Sequence, residues 1–151
     1  MSLSLEDERA LRALAAGYAR AVDRRDADGF VAVFAPDGVL VVRDPGAEEP
    51  RSVLRGSAEL ARVTESIASY DATFHFLGQS TYADEGDGVT GEVYCTARHL
   101  TRTRHGATEY TMLIRYQDRY ARVAGEWKIA ERSLVVDWTG LQLAIPPRQP
   151  K

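Results

Sequence analysis

The hydrophobic pattern of this 151-residue chain changes its period once, near Thr73. Before that point apolar residues recur at helical spacing, as at Leu11, Tyr18 and Val22. After it apolar and polar residues alternate, and turn-forming clusters at 84–88, 104–106 and 124–125 divide the segment into four long strands. Helices followed by a meander of strands predict an α+β fold, with three helices on the concave face of a strongly curved antiparallel sheet.

The first two helices carry their own capping signals. Ser4 with Asp7 resembles a capping box and predicts a first helix over about 5–24. Asp26 predicts the cap of a short second helix, whose apolar residues include Phe30. The turn-forming residues 36–38 are expected to end it.

The segment between the second helix and Thr73 is expected to contain one strand, one loop and one helix. Residues 39–42 form an apolar run that predicts a buried strand, and residues 43–55 predict a long irregular rim loop. Ser57 is expected to cap a third helix that extends to about residue 68. The whole chain, 1–151, is expected to be a single domain.

Charge and composition exclude several classes of partner. The formal charge is −3 and no block of Lys or Arg occurs, which argues against nucleic-acid and membrane partners. The acidic N-terminus does not resemble a signal peptide or a transmembrane segment, so a cytoplasmic location is the default expectation. The single cysteine, Cys95, excludes an intramolecular disulfide and a multi-cysteine metal cluster.

Strand parity separates inward from outward side chains in the second long strand. Val89, Gly91, Val93, Cys95, Ala97 and His99 share the predicted interior face. His99 is the only strongly polar member of that row, and the small residues beside it leave room for a ligand. In the preceding strand His75 shares a face with Leu77, opposite Phe74, Phe76 and Tyr82, and parity alone does not fix its direction.

The last two strands supply further candidates for substrate binding. Tyr110 and Tyr116 are expected to point inward with Met112 and Ile114. Their hydroxyls either bind a substrate oxygen or satisfy neighbouring groups. The parity of the final strand is broken, which indicates a bulge and leaves Arg132 as a candidate cavity residue. Tyr18, about one turn before Asp23 on the first helix, is expected to border the same cavity.

Asp23 lies where a carboxylate is electrostatically unfavourable. The macrodipole disfavours an acid near a helix C-terminus by roughly 0.3–1 kcal/mol, so a compensating partner is expected. That partner is Arg24 or Arg25, a turn contact before the second helix, or a catalytic group. A carboxylate can fix the tautomer of a histidine and stabilise its charged form, so Asp23, His75 and His99 together predict proton-transfer chemistry.

Several segments carry a family resemblance over nearly the whole chain: YARAVDRRD at 18–26, FAPDG at 34–38, TFHFLG at 73–78, RYARVAGEWKI at 119–129 and DW at 137–138. They resemble the SnoaL-like branch of the nuclear-transport-factor-2-like superfamily, and are most similar to scytalone dehydratase, bile-acid 7α-dehydratase and hexachlorocyclohexane dehydrochlorinase. The resemblance implies a cone-like barrel with a deep pocket, a homodimer or homotrimer, and acid–base chemistry with no cofactor and no metal.

The resemblance assigns roles to three residues. Asp23 and His75 match the aspartate and histidine of the family dyad, and His99 matches the second histidine of scytalone dehydratase. Val22 and Val42 stand where scytalone dehydratase has water-binding tyrosines, and Tyr116 stands where it has an asparagine. Scytalone itself is therefore not the expected substrate.

The leading hypothesis is a dehydratase-type lyase acting by β-elimination on a hydrophobic cyclic molecule, such as a polyketide or a steroid-like ring. His75 would be the base, Asp23 its partner, and His99 with Tyr110 or Tyr116 the acid or oxyanion donor. An isomerase or cyclase with the same dyad and a non-catalytic binding protein are the alternatives. A two-histidine, one-carboxylate metal site is a third. The apolar segment 141–145 is expected to cover the pocket mouth or to form a subunit contact.

Overall fold

A computed structural model of the chain describes residues 3–146 and residue 148, and helices precede long strands as the change of period predicts. The elements of this region are α1 (Leu5–Arg24), α2 (Ala27–Ala32), β1 (Phe34–Arg43), β2 (Ser52–Arg55), α3 (Gly56–Ile67), β3 (Ala72–Asp84), β4 (Val89–Thr103), β5 (Gly106–Val123) and β6 (Glu126–Ala144).

The strands form one curled sheet in the order β2-β1-β6-β5-β4-β3. The four long strands β3 to β6 form the predicted antiparallel meander, whereas β1 pairs with β6 in parallel. Helix α1 packs against β3 and β6, and α3 packs against β1. The α+β class is therefore confirmed, but within the described residues the sheet does not close, because β2 and β3 are its free edges.

The predicted caps hold α1 and α2 in place. The Ser4 side chain accepts a hydrogen bond from the Asp7 backbone N–H at 3.0 Å, and the Asp26 carboxylate accepts one from Gly29 at 2.9 Å. Helix α1 spans the predicted residues and ends at Arg24; the next residue, Arg25, adopts the left-handed conformation with φ 55°. The left-handed residue lets the chain turn directly into α2.

Three expectations for residues 33–57 are wrong. Residues 36–38 do not follow a helix; they lie within β1, where the pairing with β6 is irregular between Phe34 and Val39. The expected loop 43–55 contains β2, whose Val53 pairs with Val41. Helix α3 begins one residue before Ser57, because the Glu59 carboxylate accepts a hydrogen bond from the Arg55 backbone N–H at 2.7 Å.

Irregular register in two strands changes which side chains face inward. In β3 the pairing shifts between Leu77 and Ser80, so Tyr82 lies on the inner side rather than with the exposed Phe74 and Phe76. In β6 the pairing shifts at residue 130, so Ile129 and Arg132 are both fully buried although they are three positions apart. The bulge that the broken parity of β6 indicates is therefore present.

The interior of the fold contains one cluster of buried apolar side chains from the helices and the strands. Leu11, Phe30, Leu60 and Ile129 have no exposed side-chain surface and join residues of the helices to the sheet. Within residues 3–146 and 148, no helix is both long enough and apolar enough to cross a bilayer.

Gly91 provides a test of the packing beneath β4. A Cβ atom at this position would lie 2.7 Å from Cδ1 of Tyr82 and 3.0 Å from Cε2 of Tyr120. We expect Gly91→Ala to lower the free energy of unfolding by about 1–3 kcal/mol, because both rings must move. In the matched control Gly140→Ala the added Cβ meets no atom within 4 Å. Urea unfolding that gives equal effects for the two variants would contradict this packing.

Candidate functional site

A mostly apolar cavity of about 230 Å³ lies between the helices and the inner face of the sheet. Its walls come from α1, α3 and all six of the described strands. Five of its lining residues are polar: Tyr18, Ser52, Ser66, His75 and His99. An apolar pocket with a few convergent polar groups is typical of a site for a small organic ligand.

Asp23 and His75 form a direct hydrogen-bonded pair beside this cavity. Oδ1 of Asp23 lies 2.7 Å from Nδ1 of His75, and Oδ2 accepts a hydrogen bond from the His75 backbone N–H at 2.9 Å. The histidine side chain is only 6 % exposed and that of the aspartate 22 %. The predicted contact is therefore present, and neither Arg24 nor Arg25 is the partner of the carboxylate.

His99 faces His75 across the cavity wall. The two ring centroids are 5.9 Å apart, and Nδ1 of His99 lies 3.2 Å from the backbone carbonyl oxygen of Tyr110. A carbonyl oxygen only accepts hydrogen bonds, so Nδ1 carries the proton and Nε2 of the neutral ring is an acceptor. Burial, partly opposed by the hydrogen bond to Tyr110, lowers the pKa of His99 below 6.5. The neutral ring is therefore favoured at pH 7.

Tyr18 presents its ring to the cavity with Arg132 behind it. The Arg132 guanidinium carbon lies 4.3 Å from the centroid of Tyr18 and 4.1 Å from that of Tyr116. Arg132 also donates two hydrogen bonds to the buried Asp118, at 2.8 and 2.7 Å. Burial raises the pKa of Tyr18 to about 12, so its hydroxyl stays protonated and is available as a donor.

The structure does not bring every predicted residue to the cavity wall. Asp23 lies behind His75 instead of lining the cavity. Arg132 and Tyr116 have no exposed surface and lie beneath Tyr18, so the expectation that they contact a ligand in the cavity is wrong in this structure. Tyr110 meets His99 through its carbonyl and its ring rather than through its hydroxyl.

Of two residues beside Asp23, the sequence reasoning missed Thr73, and it named Arg25 only as a possible ion-pair partner of the carboxylate. The Thr73 hydroxyl donates a hydrogen bond to Oδ1 of Asp23 at 2.9 Å, and Arg25 donates one to the Thr73 hydroxyl at 3.1 Å. The alternation of β3 offered a signal for Thr73, which precedes His75 by two residues and shares its face. Arg25 does not pair with the carboxylate directly; its guanidinium donates to the Asp23 backbone carbonyl and to the Thr73 hydroxyl instead.

The donor set does not form a metal-binding cluster. Within the described part of the chain, no group of three His, Cys, Asp or Glu side chains is arranged to hold a metal ion. Nδ1 of His75 and Oδ1 of Asp23 face each other rather than a shared centre. This geometry gives no support to the two-histidine, one-carboxylate alternative.

The C-terminal apolar segment does not cover the cavity. Leu141 and Leu143 belong to β6, which pairs with β5, and their side chains are 73 % and 88 % exposed. Neither residue lines the cavity, so the expectation that this segment closes the pocket mouth is wrong within one chain. A subunit contact stays a prediction.

The curled α+β fold and its apolar cavity define a class of small-molecule-pocket proteins. A family model described as the SnoaL-like domain matches residues 3–133. The chain therefore belongs to the SnoaL-like domain family, and the predicted relation to the nuclear-transport-factor-2-like superfamily is confirmed. No curated protein matches the sequence significantly.

Solved structures share the fold at low sequence identity. A Novosphingobium aromaticivorans protein provisionally called an aromatic ring hydroxylase is 23 % identical, with a TM-score of 0.77 over 95 % of this chain and 96 % of that chain. Hexachlorocyclohexane dehydrochlorinase LinA-type3 from Novosphingobium barchaimii is 15 % identical, with a TM-score of 0.77 over 97 % of both chains. An N. aromaticivorans protein provisionally called a scytalone dehydratase is 18 % identical, with a TM-score of 0.74 over 97 % of both chains.

The lowered pKa of His99 predicts a pH dependence of stability. In the unfolded chain this histidine binds a proton near pH 6.5, whereas the folded protein binds it only at lower pH. Between these two pKa values the unfolded state holds more protons, so the free energy of unfolding decreases as the pH falls below about 6.5. We expect His99→Gln to remove this part of the slope in urea unfolding between pH 5 and 7.5. Parallel slopes for the wild type and the variant would contradict the assignment.

Proposed function

We propose that this chain is a cofactor-independent acid–base lyase that catalyses β-elimination on a hydrophobic cyclic small molecule. The observation that carries the proposal is the Asp23–His75 pair, whose histidine lines an apolar cavity. The names dehydrochlorinase and dehydratase, carried by two structurally similar proteins, describe eliminations of the same kind. Elimination is redox-neutral, so the proposed reaction requires no electron carrier.

His75 is the proposed base. When Nδ1 donates its proton to Asp23, Nε2 of the same ring keeps a free lone pair. Nε2 takes a proton from a carbon of the substrate, the electrons of that C–H bond form the new C=C bond, and the leaving group departs with the electrons of its own bond. Asp23 stabilises the imidazolium that results. A positioned base of this type contributes about 10²–10⁴-fold to the rate.

Tyr18 and His99 have complementary proposed roles. The protonated hydroxyl of Tyr18 donates a hydrogen bond to a substrate oxygen that gains negative charge. His99 starts neutral, so it accepts a hydrogen bond from the substrate and is not poised as the acid. For a leaving group that needs a proton, the proton source is the His75 imidazolium formed in the first step. This replaces the acid role that the sequence suggested for His99.

The size of the cavity restricts the proposed substrate. An engineered protein cavity of about 150 Å³ holds one benzene molecule. The cavity of about 230 Å³ therefore encloses one substituted ring or two small fused rings. We propose a monocyclic or bicyclic substrate, such as an aromatic polyketide fragment, whereas a four-ring steroid would have to project from the opening.

Two alternatives use the same cavity. An isomerase would return the proton from His75 to another carbon of the same molecule, and its product would have the mass of the substrate. A non-catalytic binding protein would bind the ring without turnover. Mass spectrometry of products from a panel of cyclic β-hydroxy ketones and cyclic chlorides separates loss of water or HCl from isomerisation and from binding alone.

A double-mutant cycle tests the dyad. With a substrate from that panel, we expect His75→Ala and Asp23→Asn each to lower kcat by about 10²-fold or more, because each removes the oriented base. The double variant should be barely slower than either single variant, because the two residues act as one unit. Steady-state kinetics of the wild type, the two single variants and the double variant give the coupling energy between Asp23 and His75.

The matched control is His105→Ala, which removes an exposed histidine from the turn between β4 and β5. It should keep wild-type kcat. Strictly additive losses for Asp23 and His75 would contradict the dyad, and turnover by His75→Ala at the wild-type rate would exclude His75 as the base.

We also propose a homodimer or homotrimer that uses the exposed apolar side chains of β6. Leu141→Ser with Leu143→Ser should shift the mass measured by light scattering towards that of one chain. The two serines remove the exposed apolar surface whose burial would favour association. Leu5→Ser, which replaces a leucine that is 87 % exposed on α1, is the matched control. An unchanged mass in the double variant would contradict a contact at β6.

A further inference from the structure

Arg25 occupies a backbone conformation that favours glycine. Its φ is 55°, and within the described residues only one other non-glycine residue, Ala124, has a positive φ. L-amino acids with a Cβ adopt this region at an energetic cost. An arginine stands here although glycine would suit the backbone better, so the contacts of its side chain need an explanation.

The Arg25 guanidinium connects three parts of the chain. Nη1 donates hydrogen bonds to the backbone carbonyl of Asp23 and to the Thr73 hydroxyl, each at 3.1 Å. Nη2 donates to the backbone carbonyls of Tyr70 at 3.0 Å and of Ile67 at 3.5 Å. The side chain therefore ties the end of α1 to the end of α3 and to the start of β3.

The donors in this network fix its direction. A guanidinium can only donate hydrogen bonds, so the Thr73 hydroxyl must accept from Arg25. The single hydrogen of that hydroxyl is then directed at its other neighbour, Oδ1 of Asp23, at 2.9 Å. Because Oδ2 accepts from the His75 backbone N–H, both carboxylate oxygens face donors that cannot reverse.

The direction of donation is also fixed in the hydrogen bond between Asp23 and the ring of His75. An acceptor-only carboxylate requires Nδ1 of His75 to be the donor in their contact of 2.7 Å. In the neutral ring this leaves Nε2 as the unprotonated nitrogen. The orientation of the base is thus set by a chain of hydrogen bonds that begins at Arg25, which touches neither His75 nor the cavity.

We propose that Arg25 and Thr73 are positioning residues, which hold the Asp23 carboxylate in the one orientation that keeps His75 protonated at Nδ1 and basic at Nε2. This inference rests on the proposed function, because it explains how the base of that reaction is prepared. Neither residue contacts the cavity, so both act through Asp23.

The first test uses the nitrogen shifts of His75 and needs no substrate. In ¹⁵N-labelled protein near pH 8, the wild type should show one tautomer of His75, with Nδ1 protonated and Nε2 bare. Thr73→Val keeps the shape of the side chain but removes the hydroxyl, and it should give averaged shifts at the two nitrogens. Thr73→Ser restores the hydroxyl and should restore the wild-type spectrum.

Variants of Arg25 test the other end of this series of hydrogen bonds. Arg25→Gly suits the positive φ, so the backbone is preserved while the guanidinium is lost, and it should resemble Thr73→Val in the spectrum. Arg24→Gln removes the same charge from the exposed neighbour and should leave the His75 shifts unchanged. Thermal unfolding of all variants identifies any that lose the fold.

Kinetics add a readout that separates positioning from binding. We expect Thr73→Val and Arg25→Gly to lower kcat by about tenfold or more while KM changes less than about threefold, because the base is misoriented but the cavity is intact. Wild-type tautomer and wild-type kcat in both folded variants would overturn the positioning role. Loss of activity in His75→Ala alongside that result would leave the proposed function in place, whereas activity that survives in His75→Ala would contradict the proposed function itself.

Discussion

The site depends on the hydrogen bonds that the carboxylate of Asp23 accepts. This carboxylate lies in the last turn of α1, where the helix dipole disfavours negative charge by roughly 0.3–1 kcal/mol. Hydrogen bonds from the Thr73 hydroxyl, the His75 backbone and the His75 ring compensate this charge. The same three bonds attach α1 to the edge strand β3. One side chain therefore joins a helix to the sheet and orients the histidine that lines the cavity.

A second polar contact supports the cavity from beneath. Arg132 and Asp118 form a doubly hydrogen-bonded pair with no exposed surface, and Tyr120 donates a third hydrogen bond to the same carboxylate. Removing one partner of such a pair leaves a buried charge and typically costs about 3–5 kcal/mol. The guanidinium lies against the rings of Tyr18 and Tyr116, so this pair supports the position of Tyr18, which lines the cavity. The charge of Arg132 thus acts on the shape of the site rather than directly on a ligand.

Local sequence signals predicted the features of the structure that depend only on residues close together in the chain. The cap at Ser4, the cap at Asp26 and the inward row that ends at His99 were predicted, because each depends only on neighbours along the helix or strand. Predictions failed where strand pairing and register depend on distant parts of the chain. The segment 43–55 contains strand β2 because β1 offers it a pairing edge, and Tyr82 faces inward because the register of β3 shifts before it.

The sequence by itself determined the α+β class and the limits of α1, because hydrophobic period and capping chemistry are properties of short segments. The expected pairing of Asp23 with His75 came from the resemblance of such segments to the SnoaL-like family. Only the tertiary structure decided that Arg132 and Tyr116 lie beneath the cavity and that Arg25 donates to the Thr73 hydroxyl, which donates in turn to Asp23. These facts depend on a bulge in β6 and on a contact across 48 residues between Arg25 and Thr73. Neither the depth of a side chain nor the direction of its hydrogen bonds is encoded locally, because both arise from packing between elements that are far apart in the chain.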